Sequence, residues 1–344
     1  MTASKNENGE LRKPTGTSRR TILKATLAVP AAVAVGFSMA ARAQAQRNPA
    51  ERNVFVSHKY EEQKIDLGEM EMNYVVVGSP DKPALLLIPG QTESWWGYED
   101  VLELLSTDFQ CYAVDLRGQG RSTWTPGRYT LDNMGNDLVR FIDEVIGRPV
   151  VVSGCSSGGV LSAWLSAYAK PGQIRGAMYE DPPLFSSELS PFYGQSIRQS
   201  RVGEVFHLNT IYLGDQWKIG DWEARMRAVG INSSGEPPQN LLEYDPEWGR
   251  AFWEGTVAAS CPHHIMLSKV KVPVQLTHHA RRVDSSTGML SGAMSDLQAQ
   301  KVREIIEVTG SPFTYKSLPD AAHAMHDDDP PRFDQALKEW ARGL

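Results

Sequence analysis

Short apolar, β-branched runs recur along the chain, each followed by a stretch with helical spacing, and this alternation limits the fold more than any other feature. The runs are "NYVVVG" (73–78), "ALLLIPG" (84–90), "CYAVDLRG" (111–118), "PVVVSG" (149–154), "IRGAMYEDPP" (174–183), "VPVQLTHH" (272–279) and "PFTYKSLPD" (312–320). Helical patterns fall at 98–108, 131–146, 159–169, 297–308 and 331–344. Strands that are apolar on both faces need helices over both faces, so the pattern predicts an α/β fold around a mostly parallel sheet. From Phe185 to about Ser268 the rhythm stops. That segment carries Trp217, Trp222, Trp248 and Trp253, and its length predicts a helical cap rather than a loop.

The first 45 residues read differently. Arg19 and Arg20 precede an apolar run from Ala28 to Met39, and Ala41, Ala43 and Ala45 supply two A-x-A sites. The run is too short to span a bilayer, and the order of parts is that of a signal peptide cut after Ala43 or Ala45. Ser18 to Lys24, "SRRTILK", resembles the twin-arginine export motif, which implies export to the periplasm or beyond. Residues 1–45 hold seven Lys/Arg and two Asp/Glu, so their removal takes the net charge from −6 to −11. No basic stripe remains, which excludes nucleic acid and anionic membrane surfaces as expected partners. After processing, no stable membrane insertion is expected.

Gly154-Cys155-Ser156-Ser157-Gly158 fits G-x-S-x-G, between an apolar strand and a helix. That context is a nucleophile elbow: a sharp turn that lifts the middle serine, Ser156, clear of the backbone. The N–H of Ser157 is then one oxyanion donor, and the loop after "ALLLI" supplies Gln91 N–H as the second, with Gly90 allowing close approach. A serine hydroxyl needs a base. His323, in "LPDAAHAMHDDDPPRF", lies after the last predicted strand, where the order Ser…acid…His places it, and His326 is a neighbouring competitor. The acid is Asp181 or Asp284. Glu180 adjoins Asp181, but neighbours on a strand point to opposite sides, so only one of them faces the base. His263/His264 and His278/His279 are adjacent pairs and poor chelates, so no metal is expected. Cys111, Cys155 and Cys261 are widely spaced and read as free thiols. Asp115 to Ser122 reads as a structural loop.

With these residues in place, the chain resembles the α/β-hydrolase superfamily over nearly all of its length after residue 45. "QTESWWGYEDVLELL", "GCSSGG", "GDQWKIGDW", "EYDPEWGRAFWEGTVA" and "LTHHARRVDSSTG" make it most similar to the bacterial zearalenone lactone hydrolases. The spacing of His323 to Pro330 resembles the superfamily's "GH…P", with Ala322 in place of glycine. The resemblance implies an eight-stranded, mostly parallel sheet, with a cap (185–268) inserted after the sixth strand between two parts of the core (46–184 and 269–344). In most of the superfamily the acid follows the seventh strand, which favours Asp284. In the zearalenone type it follows the sixth, which favours Asp181. The implied activity is cofactor-free serine hydrolysis of a small hydrophobic ester or lactone by Ser156, Asp181 and His323. A general carboxylesterase, a perhydrolase, a C–C hydrolase and a non-catalytic binder are the alternatives. An aspartate nucleophile, as in epoxide hydrolases, is excluded by serine at 156.

Overall fold

Residues 58–191, 193–200, 203, 206–207, 240 and 243–344 are described by a computed structural model. The expected signal peptide and part of the expected cap, with Trp217 and Trp222, lie outside the described residues. None of the described helices is long and apolar enough to cross a membrane.

Strands β1 (Glu62–Asp66), β2 (Glu71–Val77), β3 (Ala84–Ile88), β4 (Gln110–Val114), β5 (Val150–Cys155), β6 (Ile174–Glu180), β7 (Val274–His278) and β10 (Phe313–Ser317) form one sheet in the order β1-β2-β4-β3-β5-β6-β7-β10. Only the β1–β2 and β2–β4 pairs are antiparallel; the other five are parallel. The central β3, β5 and β7 are buried at every position, which explains why they read as unbroken apolar runs. β1, "EQKID", is a half-exposed edge strand, and its polar sequence hid it from the pattern above. A small hairpin of β8 (Arg282–Val283) and β9 (Leu290–Ser291) was also not anticipated.

Helices α1 (Glu99–Leu105), α2 (Leu131–Phe141), α3 (Ser157–Tyr168), α6 (Asp296–Val308) and α8 (Pro330–Ala341) lie within two residues of their expected starts and cover the sheet. Two clusters of buried residues lie on either side of it. One holds Leu86, Val152, Trp164 and Tyr179; the other holds Leu85, Trp95, Met178 and Phe333. Alternate residues of β3 therefore serve opposite cores. Each fully buried large side chain contributes roughly 1.5–3 kcal/mol. Between β6 and β7 the described residues include α4 (Pro246–Glu254) and α5 (His263–Leu267) and no strand. Asp245 caps α4 through Glu247 N–H, Pro246 opens it, and Gly255 ends it at φ 78. Trp248 on α4 is buried against Tyr129 and Tyr244. The short α7 (Met325–Asp328) precedes α8.

Candidate active site

The nucleophile position follows from a collision that glycine avoids. A Cβ on Gly158 would lie 2.3 Å from the Ile88 carbonyl oxygen, and one on Gly154 would lie 2.2 Å from that of Gly158. Helix α3 can therefore start directly against the ends of β3 and β5 only with glycine at both places. The turn between them puts Ser156 at φ 53, ψ −119, a region that costs a non-glycine residue about 1–3 kcal/mol and that persists because the surrounding structure enforces it. Ser156 N–H is anchored on the Glu180 carbonyl at 2.8 Å. The residue remains half-exposed while its neighbours are buried.

At the end of β6 the chain bends again. Asp181 has φ 40, and its carboxylate is nearly fully buried. One oxygen meets His323 Nδ1 at 2.7 Å and the other accepts the His279 N–H at 3.0 Å. Burial opposes the charge on Asp181, but these bonds and the nearby imidazoles outweigh it, and the carboxyl is held below its ordinary pKa. Burial likewise opposes a charged His323. The Asp181 bond, with the Asp181, Glu93 and Glu180 charges, prevails and raises the imidazole pKa above the usual 6.5. Asp181 fixes the proton on Nδ1 and leaves Nε2 as the basic nitrogen. The His323 side chain is 45% exposed, so its free edge faces an opening. The Cys155 thiol lies 3.7 Å from the His323 carbonyl, which sets residue 323 beside the elbow. Ser156 Oγ and His323 share no hydrogen bond in this structure; such bonds commonly tighten only around substrate.

The oxyanion candidates lie together. A Cβ on Gly90 would come within 3.3 Å of Ser156 Cβ, so the loop carrying Gln91 abuts the nucleophile. Among the described residues no acceptor is spent on the N–H of Gln91 or of Ser157, which leaves both available to a developing oxyanion. Three residues missed by the sequence reading hold this loop. Gln119 Nε2 donates to the carbonyls of Gly90 (2.7 Å) and Glu93 (2.9 Å), Tyr98 donates its hydroxyl to Ile88, and Tyr244 binds the Gln91 side chain at 2.7 Å. Asp115 does brace the neighbouring loop, accepting from Trp95 N, Asn73 Nδ2 and Arg121 N.

The surroundings of the other two candidate acids differ from those of Asp181. Asp284 lies in the β8–β9 turn, its carboxylate bonded by Ser286 N–H and Oγ and by Thr287 N–H and by no histidine among the described residues. Those donors hold its carboxyl down at about 2, and it caps a turn. Only Asp181 of the two adjacent carboxylates faces the base, as alternation requires; Glu180 turns to a second histidine. Its oxygens accept the His326 N–H at 3.0 Å and meet His326 Nδ1 at 2.8 Å, and both side chains are buried. Burial works against a charged His326; Glu180, assisted by Glu93 and Asp327, overcomes it and lifts the pKa to about 9. Two carboxylate–histidine pairs thus stand side by side, Asp181–His323 at the opening and Glu180–His326 beneath, the latter ring stacked 4.0 Å from Tyr98.

Cys155, Glu180 and His326 present ligand atoms within 4.8 Å of one another. Burial pushes the Cys155 thiol far up, and His326 holds a proton in its ion pair. A metal needs a thiolate and a neutral imidazole, so this trio is a poor cation site. Cys111 and Cys261 are free and buried as well.

Comparison with known proteins agrees with this geometry. Residues 85–336 match the family model described as alpha/beta hydrolase family. Epoxide hydrolase 1 of Caenorhabditis elegans is 27% identical over 236 residues, covering 63% of this chain and 55% of that protein. N-formylmaleamate deformylase of Pseudomonas putida is 33% identical over 130 residues, 35% of this chain and 47% of that one. The chain thus spans about half the length of these relatives. The solved enol-lactonase of Burkholderia xenovorans superposes with a TM-score of 0.58 at 16% identity, over 81% of this chain and 100% of the other. From the elbow, the sheet order and the family match together, this chain belongs to the alpha/beta hydrolase family.

Proposed function

We propose that the chain is a serine hydrolase that opens a carboxylic ester or lactone. The observation that carries this reading is the 2.7 Å Asp181–His323 bond beside a strained, half-exposed Ser156. Ser156 Oγ attacks the carbonyl carbon as His323 Nε2 takes its proton, and Asp181 stabilises the imidazolium. The N–H groups of Gln91 and Ser157 bind the oxyanion, each worth about 10²–10³ in rate. His323 then protonates the departing alkoxide. In a lactone that alcohol stays tethered to the acyl group. Water, deprotonated by His323, next attacks the acyl-enzyme, and Ser156 recovers its proton.

The substrate class follows from the cap. Trp248, Phe252 and Tyr244 make the described part of the cap rich in large buried aromatic side chains, a composition that suits an uncharged, ring-containing molecule. The macrolactone of zearalenone is the specific substrate we put forward, from the tryptophan-rich stretches. An enol-lactonase and a deformylase among the relatives favour acyl chemistry. The epoxide hydrolases among them share the scaffold, but Ser156 offers a hydroxyl where a carboxylate nucleophile would be needed. We also propose, from the sequence of residues 1–45 alone, that the reaction takes place outside the cytoplasm. Product analysis after incubation with zearalenone, with Ser156→Ala as control, tests the substrate, and labelling by an organophosphonate tests the nucleophile. Equal turnover by the variant refutes the mechanism; no label on Ser156 favours a non-catalytic binder; labelling without zearalenone turnover leaves a general esterase.

A further inference from the structure

Between the cap and the core, one residue past the nucleophile, lies a small cavity with two unused polar atoms. Its apolar walls include Met134 on α2, Val160 on α3, and Trp248 and Phe252 on α4; its polar lining is Ser157, Ser187 and His263. His263 is fully buried. Its ring Nδ1 accepts the Phe185 N–H at 2.9 Å, and its backbone N–H donates to Glu188 Oε1 at 2.9 Å. An Nδ1 that accepts is unprotonated, so in the neutral ring the hydrogen sits on Nε2. Burial drives the imidazole pKa down to about 3, so the ring stays neutral through the working range. Nε2–H is therefore a fixed donor, and among the described residues it has no partner. Ser157 Oγ is buried and equally unpartnered.

A buried donor without an acceptor is costly, and native structures rarely keep one without reason. The open space is about 20 Å³, room for one oxygen-sized group, since roughly 10–15 Å³ admits a water. A resident water needs two to four polar contacts; His263, Ser157 and Ser187 line the space, the Ser187 hydroxyl already donating to the Pro183 carbonyl, so water is the occupant that the test below has to separate from a substrate oxygen. A substrate oxygen at the tip of an apolar arm uses both the donors and the walls. Ser157 Cα is about 3.8 Å from Ser156 Cα, so such an arm is short.

We infer that this cavity is a specificity pocket, resting on the serine-hydrolase reading above, which takes a hydrogen-bond-accepting oxygen, above all a ketone carbonyl, borne on an apolar part of the substrate and read by His263 Nε2–H. His263 here selects substrate and takes no part in bond breaking.

The test compares matched esters. Nitrophenyl esters of short keto acids, with the ketone remote from the ester, are set against keto-free acids of equal length, and acetylphenyl acetate against ethylphenyl acetate. The pairs probe the acyl and alcohol sides in turn. In wild type at least one keto member is expected to lead its partner about tenfold in kcat/KM, through KM, because its partner leaves the donor unpaired. His263→Phe should bring that lead to about one. So should Ala258→Val, which narrows the cavity without removing the donor; near-UV circular dichroism identifies the variant that has kept its packing. Ratios within twofold for every wild-type pair, or a lead that survives both substitutions, overturn the inference and assign the cavity to water. Failure of wild type to cleave nitrophenyl acetate is a separate result: it sinks the serine-hydrolase reading, and the pocket with it.

Discussion

Glu180→Gln separates the two carboxylate–histidine pairs by what each does. Glu180 and His326 are 0% and 1% exposed, so solvent screens their interaction little. The His326 pKa moves from 6.5 to about 9 on folding. At 1.36 kcal/mol per pKa unit, that is about 3 kcal/mol of stability. Because the folded-state pKa is the higher one, the contribution is present in full below pH 6.5 and disappears as pH rises through 9. Glutamine keeps the shape of Glu180 but not its charge, and His326 then returns to an ordinary or lower pKa. Urea unfolding of wild type and variant across pH 6 to 10 is the assay. At pH 6 the variant should be about 3 kcal/mol less stable, in the range for a buried pair that loses one member. Near pH 10 the two curves should meet. A gap that stays constant with pH would refute the reasoning, because it would mean that His326 is not held protonated by Glu180.

The outer pair should respond in rate instead. Asp181→Asn is expected to lower kcat about 10⁴-fold by releasing the His323 tautomer, read by ester hydrolysis at saturating substrate. Since a raised pKa keeps His323 protonated to higher pH, the acidic limb of kcat/KM in wild type should rise with a midpoint above 6.5; a midpoint below that value would contradict the assigned charges. Gly158→Ala should fail to fold stably, as its Cβ would overlap the Ile88 carbonyl, and soluble, active protein would disprove the close approach of α3 to β3. The three buried thiols should resist Ellman's reagent in native protein and react after denaturation; one fast-reacting thiol at pH 8 would contradict their burial.

The sheet and the elbow were legible because each depends on local pattern. Strands buried on both faces must be apolar throughout, and G-x-S-x-G between such a strand and a helix has one steric meaning. His323 followed from chain order. The choice between Asp181 and Asp284 did not, because both follow a strand and only their environments differ: one buried under histidines, the other satisfied by its own turn. That only one of Glu180 and Asp181 faces the base holds, but the partner of Glu180, His326, was not foreseen. Alternation holds along a strand, and β6 ends at Glu180. With Asp181 at φ 40, the backbone turns and two successive carboxylates find separate histidines. His263, set aside as one of a poor chelating pair, gains its meaning only from the Phe185 N–H that meets it across the cap, a contact between residues 78 apart. β1 escaped notice because an exposed edge strand has no need of apolar residues.

The crowding of acidic groups under the nucleophile has a consequence for what leaves the site. Glu180, Asp181 and Glu93 converge there, while His323 must be uncharged to begin a cycle. On the proposed reading the ester or lactone arrives neutral, but the acid made from it is an anion, formed beside Asp181, while the His326 cation is already committed to Glu180 below. Like charges at such distances repel in a medium less polar than water. On that reading the field that leaves a neutral substrate unaffected speeds the departure of the spent product and disfavours molecules that carry a carboxylate from the start.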